Sequence, residues 1–106
     1  MTRLLALVVV AVLSQGTASQ TFTGVITDSM CEKDHSQMRM GPTDADCTRA
    51  CVAAHGAAYV LFDGTDVYEL SDQQQPEAFA GGKVRVVGRL DAAKKLIVVE
   101  SMTAAD

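Results

Sequence analysis

Two stretches near the C-terminus carry the clearest pattern of apolar and polar positions. In KVRVVGRL, Val84 and Val86 alternate with Lys83, Arg85 and Arg89, the period-two pattern of a strand with one face inward and one outward. KLIVVESM follows across Asp91-Ala92-Ala93-Lys94, which predicts a hairpin. Earlier in the chain, AAYVLFD (57–63) and VYEL (67–70) read as two short strands joined around Asp63-Gly64, where Gly accepts the positive φ of a tight turn. QTFTGVITD (20–28), rich in β-branched and aromatic residues, predicts a first strand.

Between the first and second strands the pattern changes. Gly41-Pro42 interrupts the chain, and Thr43-Asp44-Ala45-Asp46 has the spacing of a capping box ahead of the run CTRACVAAH. A helix over 44–55 is predicted, with Gly56 as its stop. Residues 73–80 are less regular and have room for one helical turn before Gly81-Gly82. Five strands with one helix after the first predict a small, mostly β domain built on a closed sheet. Val84, Val86, one of Val60 and Leu61, and one of Ile97 and Val98 are the expected core. Lys83, Arg85 and Arg89 then share an exposed face, either a strand edge protected by charge or an anion-binding strip.

The N-terminal residues belong to a different class of pattern. One cation, Arg3, precedes the apolar run Leu4–Leu13, and small residues follow to Thr17-Ala18-Ser19, the order of a secretory signal peptide. The run is short of the roughly 20 apolar residues that span a bilayer. Residues 1–19 are therefore expected to be a leader cleaved after Ala18 or Ser19, leaving a periplasmic or secreted domain over 20–106 without a membrane anchor. Removing that leader takes away one cation and no acid, so the net charge moves from −4 to −5. An acidic domain lacks the clustered Lys and Arg that binding a phosphate backbone requires, so no nucleic-acid partner is expected.

In YVLFDGTDVYEL, FAGGKVRVVGRLD and IVVESM, a strand ends in Asp-Gly-Thr, a Lys-Val-Arg-x-x-Gly strand follows, and an Asp hairpin closes the sheet. This half of the chain resembles the bacterial OB-fold family of small periplasmic proteins. The resemblance implies a five-stranded OB-like Greek-key barrel, an exported binding or stress-related role, and no established catalysis. It does not extend to the insertion at 29–56. With GVITDSMC ahead of it, that insertion resembles small secreted bacterial proteins of unknown function.

Within the insertion, the stretch from Cys31 to Cys51 holds all three cysteines, one of the two histidines and two of the five methionines. Cys47 and Cys51 are four apart, which on a helix places them one above the other on one face. Cys31 and His35, also four apart, lie on the loop leaving the first strand and would close a Cys3His tetrahedron of the kind that suits zinc. Met38 and Met40 add soft ligands that favour Cu(I), and His55 would extend the stripe by a turn. Asp28 and Ser29 stand where they would orient a ligand or cap the strand end. Each further candidate also has a plain structural reading: methionines fill gaps, and a His before a terminating Gly complements the helix C-terminus.

The competing reading of the cysteines is a disulfide. Cys31 with Cys47 or Cys51 would close a loop worth about 3 kcal/mol in the chain-entropy account, and one thiol would be left over. No Cys-x-x-Cys, Ser-His-Asp order or glycine-rich phosphate loop stands out, so the chain is not expected to be an enzyme. The sequence thus predicts an exported binding module that holds a copper or zinc ion at Cys31, His35, Cys47 and Cys51. The alternative is a disulfide-stapled barrel, without metal, that binds a peptide, glycan or envelope protein.

Overall fold

The structure is a computed structural model, and it describes residues 18–36 and 38–105. The leader expected at 1–19 therefore lies, up to Thr17, outside the described residues. Five strands form, β1 (Gln20–Asp28), β2 (Tyr59–Phe62), β3 (Val67–Leu70), β4 (Lys83–Asp91) and β5 (Leu96–Ala104), with helix α1 (Asp44–His55) between the first two. The irregular stretch before Gly81 contains a short 3-10 helix, Gln75–Phe79, with Pro76 in its first turn. Among the described residues no helix is long and apolar enough to cross a membrane.

The strands pair in a closed ring in the order β1-β2-β3-β5-β4. All neighbours are antiparallel except β3 and β5, whose Glu69 and Leu70 run parallel to Leu96 and Ile97. Alternation in β4 holds as expected: Val84, Val86 and Gly88 are buried while Lys83, Arg85 and Arg89 are exposed. These valines join Ile26, Tyr59, Leu61, Leu70, Ala80, Ile97 and Met102 in one apolar cluster. Burying each large aliphatic side chain there contributes about 1.5–3 kcal/mol. A bulge falls between Val87 and Gly88, where a Cβ on residue 88 would overlap the Val98 carbonyl oxygen.

β2 departs from simple alternation. Val60 and Leu61 are both buried, although their side chains point to opposite faces. Leu61 pairs with Ile26 and belongs to the barrel core; Val60 pairs with Thr27 on the other face. Thr27 and Asp28 are buried as well. The end of β1 and the start of β2 therefore carry a second layer, made by the insertion and α1.

The helix ends are built as the sequence predicts. Thr43 Oγ1 accepts the Asp46 N–H at 3.1 Å, and Gly56 closes the C-terminus with φ 69°. Two contacts fix α1 to the barrel. Arg49 donates through Nε and Nη2 to the Glu77 carbonyl, both at 3.2 Å. Gly81, at φ +75°, lies so close to Ala45 that a Cβ would come within 2.8 Å of the Ala45 nitrogen. A side chain at 81 would push the N-terminal turn of α1, and with it Cys47, away from β1.

Candidate metal centre

The site starts where β1 ends. Asp28 turns its carboxylate back on the chain that follows it: Oδ2 accepts the N–H groups of Met30 at 3.0 Å and Cys31 at 2.9 Å. This Asx-type turn reverses the backbone and brings Cys31 over the strand end. Ser29 anchors the turn from its other side, exchanging bonds with Ala58 through its N–H (2.9 Å) and Oγ (3.0 Å). Ser29 thus holds the loop against the segment leading into β2, and the orienting role weighed for it falls instead to Thr27.

Four residues later His35 is buried against the outer face of β1, with Nε2 3.0 Å from Thr27 Oγ1. Its Nδ1 is buried and has no hydrogen-bond partner. Asp28 Oδ1 is in the same condition, and the two atoms stand 3.9 Å apart, beyond hydrogen-bond reach. From the helix side Cys47 and Cys51, each fully buried, present their thiols to the same place. The four-residue spacing on one helix face is realised, and all three cysteines are free thiols.

Two overlapping groups of donor atoms result. Cys31, His35 and Cys47 form one, and Asp28, Cys31 and Cys51 the other, with the atoms of each group within 4.8 Å of one another. Cys31, His35, Cys47 and Cys51 therefore lie close enough to hold a metal ion. Donors at 2.0–2.3 Å on one tetrahedral ion stand roughly 3.3–3.8 Å from each other, so within each group closure requires contraction by about 1.5 Å at most. A ligand at Nδ1 of His35 requires the tautomer in which Nε2–H donates to Thr27, and the observed contact fits it.

The electrostatics without an ion are unfavourable to thiolates. Loss of water pushes the Cys31 thiol up to about 12, with the negative charge of Asp28 and the neighbouring Cys47 adding to the shift. Cys51 is raised for the same first two reasons, burial and then Asp28. A cation placed among them reverses the sign of the local field, so binding exchanges thiol protons for metal.

The methionines divide. Met40 approaches the cluster with both ends: its N–H points at Cys47 Sγ at 3.5 Å and its sulfur lies 3.8 Å from Cys51 Sγ. Met38 turns its carbonyl inward, accepting from Cys47 Sγ at 3.3 Å, while its side chain is exposed. His55 is the exposed last residue of α1 and belongs to neither donor group. Its position in the final turn suits it to the helix C-terminus instead. Sequence reasoning did not include Asp28 among the donors, nor Thr27 as the support of His35. The signal for the first was present in Asp-Ser-Met-Cys after a strand, where an Asx turn aims a carboxylate at the residue three positions on.

No protein family, curated protein or solved structure matches this chain. The functional reading therefore rests on the site itself.

Proposed function

We propose that this protein is an exported metal-binding module, an OB-like barrel whose insertion holds a soft or borderline ion, copper or zinc, through Cys31, His35, Cys47 and Cys51. The observation that carries the reading is the meeting of Cys31 and Cys47, from two segments, with a buried imidazole that has an unpartnered nitrogen, while Cys51 joins Cys31 and Asp28 in an overlapping group. Unpartnered buried polar atoms cost about 1–3 kcal/mol each, and an ion supplies the missing partner. Thiolate and imidazole donors select copper and zinc over magnesium or calcium. The OB-like assignment draws support from the strand order β1-β2-β3-β5-β4 with its parallel β3–β5 pair. Export rests on the leader-like residues 1–19 alone.

Titration of the reduced protein with Zn(II) and Cu(I), followed by native mass spectrometry, tests the reading. One tightly held ion is expected in the parent protein, and His35→Ala should lose it without changing the oxidation state of the cysteines. A His35→Ala protein that binds as tightly as the parent removes the proposal.

One observation favours a second reading. The Cys31 sulfur lies within 4.8 Å of each helix thiol, so a disulfide to either, stapling the insertion to the barrel, is within reach of a small movement. Counting thiols by alkylation of protein taken from its native compartment separates the two: three free thiols fit the metal site, and one fits the staple.

A further inference from the structure

We propose that the ion is monovalent copper and that Met30 and Met38 form its point of arrival, a pair of exposed thioethers that take Cu(I) from a donor and pass it to Cys31. The inference rests on the metal-binding reading of the site and adds to it the identity and route of the ion. Among the described residues the large apolar side chains left exposed are Val25, Met30 and Met38, and the two methionines are the most exposed, at 46% and 49%. Neither is scattered at random. Both line one pocket of about 400 Å³, whose other walls are Cys31 and Asp34.

Packing does not account for this arrangement. A methionine placed for its apolar bulk is buried, as Met102 is in the barrel core. Met30 and Met38 instead stand in a polar stretch, on either side of the half-buried cysteine. Met40 lies deeper, its sulfur 3.8 Å from Cys51 Sγ. Two methionines thus share a pocket with Cys31, and a third sets its sulfur against Cys51.

The chemistry of the thioether selects the ion. Its neutral, polarisable sulfur binds Cu(I) and is a poor ligand for Zn(II). It has no proton to lose, so capture does not wait for a thiol to ionise. In the transfer, bonds from the donor to Cu(I) break as Met30 and Met38 sulfur bonds form; the Cys31 sulfur then displaces a thioether while its proton leaves to water. Copper remains monovalent throughout, and no oxidant or reductant is consumed. The Asp34 carboxylate in the pocket lining adds a negative charge that attracts the cation.

The test uses the reduced full-length mature protein under anaerobic conditions, with Cu(I) presented on the chromophoric chelator bicinchoninate. Transfer is followed by stopped-flow absorbance and final occupancy by mass spectrometry. The parent protein should strip Cu(I) from the chelator. A Met30→Leu/Met38→Leu variant keeps apolar bulk and loses both sulfurs; its transfer rate should fall about tenfold, equivalent to about 1.4 kcal/mol of activation free energy. Its final occupancy and its Zn(II) affinity should stay within about twofold of the parent. Transfer at the parent rate in the double variant overturns the proposal, as does a parent protein that binds Zn(II) but takes no Cu(I) from the chelator. Cys47→Ser should lose both ions; if it retains both, the underlying metal site fails, whatever the methionines do.

Discussion

The barrel and the insertion bury comparable side chains under opposite rules. Inside the barrel, Ile26, Leu61, Val84, Val86 and Ile97 belong to one apolar cluster, and among the described residues none of its members has an unpartnered buried side-chain nitrogen or oxygen. Above the end of β1, the insertion buries Asp28, His35 and Thr48, and the unpartnered buried side-chain atoms found among the described residues are Asp28 Oδ1, His35 Nδ1 and Thr48 Oγ1. One region is satisfied by its own packing. The other keeps donors in place without partners, which costs stability unless something outside the chain is bound. The difference separates a scaffold from a site held on it.

The sharpest break in the comparison comes from the scaffold. Val86 is fully buried, and Val86→Asp should abolish folding, because an unpaired buried carboxylate costs several kcal/mol against a total stability of about 5–15. Circular dichroism at 25 °C should show loss of the sheet, and a cooperative melt close to that of the parent would rule out the barrel core. By contrast, Cys51→Ser changes one atom at the centre of the insertion. It should leave the apo melting temperature nearly unchanged while weakening metal binding by at least about 100-fold, the upper end of what losing even an indirect partner costs.

A smaller effect is expected from Thr27→Val. It removes the hydroxyl that holds His35 and preserves the shape of the residue beneath it. Metal affinity should fall about 10–100-fold, as for other outer partners of a ligating imidazole. An unchanged affinity by calorimetry would show that His35 does not ligate through Nδ1.

A further effect is expected in the pH dependence of the apo protein. Cys31 holds its proton up to about 12 in the folded chain, whereas an unfolded thiol ionises near about 8.5. The folded state therefore binds the proton more tightly. Its contribution to stability is full below the unfolded value and is lost as pH rises from there towards the folded one. Melting temperatures of apo protein should drop over that alkaline window, and Cys31→Ser should flatten the drop. Metal reverses the order, since binding displaces thiol protons: affinity should weaken as pH falls, with proton release detectable in weakly buffered titrations.

Much of the architecture could be read locally. The alternation in KVRVVGRL, the Thr43–Asp46 cap and the Gly56 stop are decided by neighbours within a few residues, and each appears where it was expected. The limits of β2 and β5 moved by one or two residues, because pairing partners and not propensity set where a ladder ends. Of Val60 and Leu61, Leu61 is the one in the barrel core; Val60 is buried on the opposite face, since the insertion covers what a barrel strand would leave wet.

The amino-acid sequence by itself determined the kinds of donor available and the pairing of Cys47 with Cys51, because a helix fixes what lies four residues away. Only the tertiary structure decided that Cys31 and His35 reach that pair, that Asp28 joins them through the turn it makes, and that His55 does not. It also decided which methionines face the thiols and which face solvent. Those outcomes depend on how α1 sits against β1, which the contacts of Gly81 with Ala45 and Arg49 with Glu77 impose from remote parts of the chain. Distances between separate elements are set by such packing, and periodicity along a sequence carries no record of them.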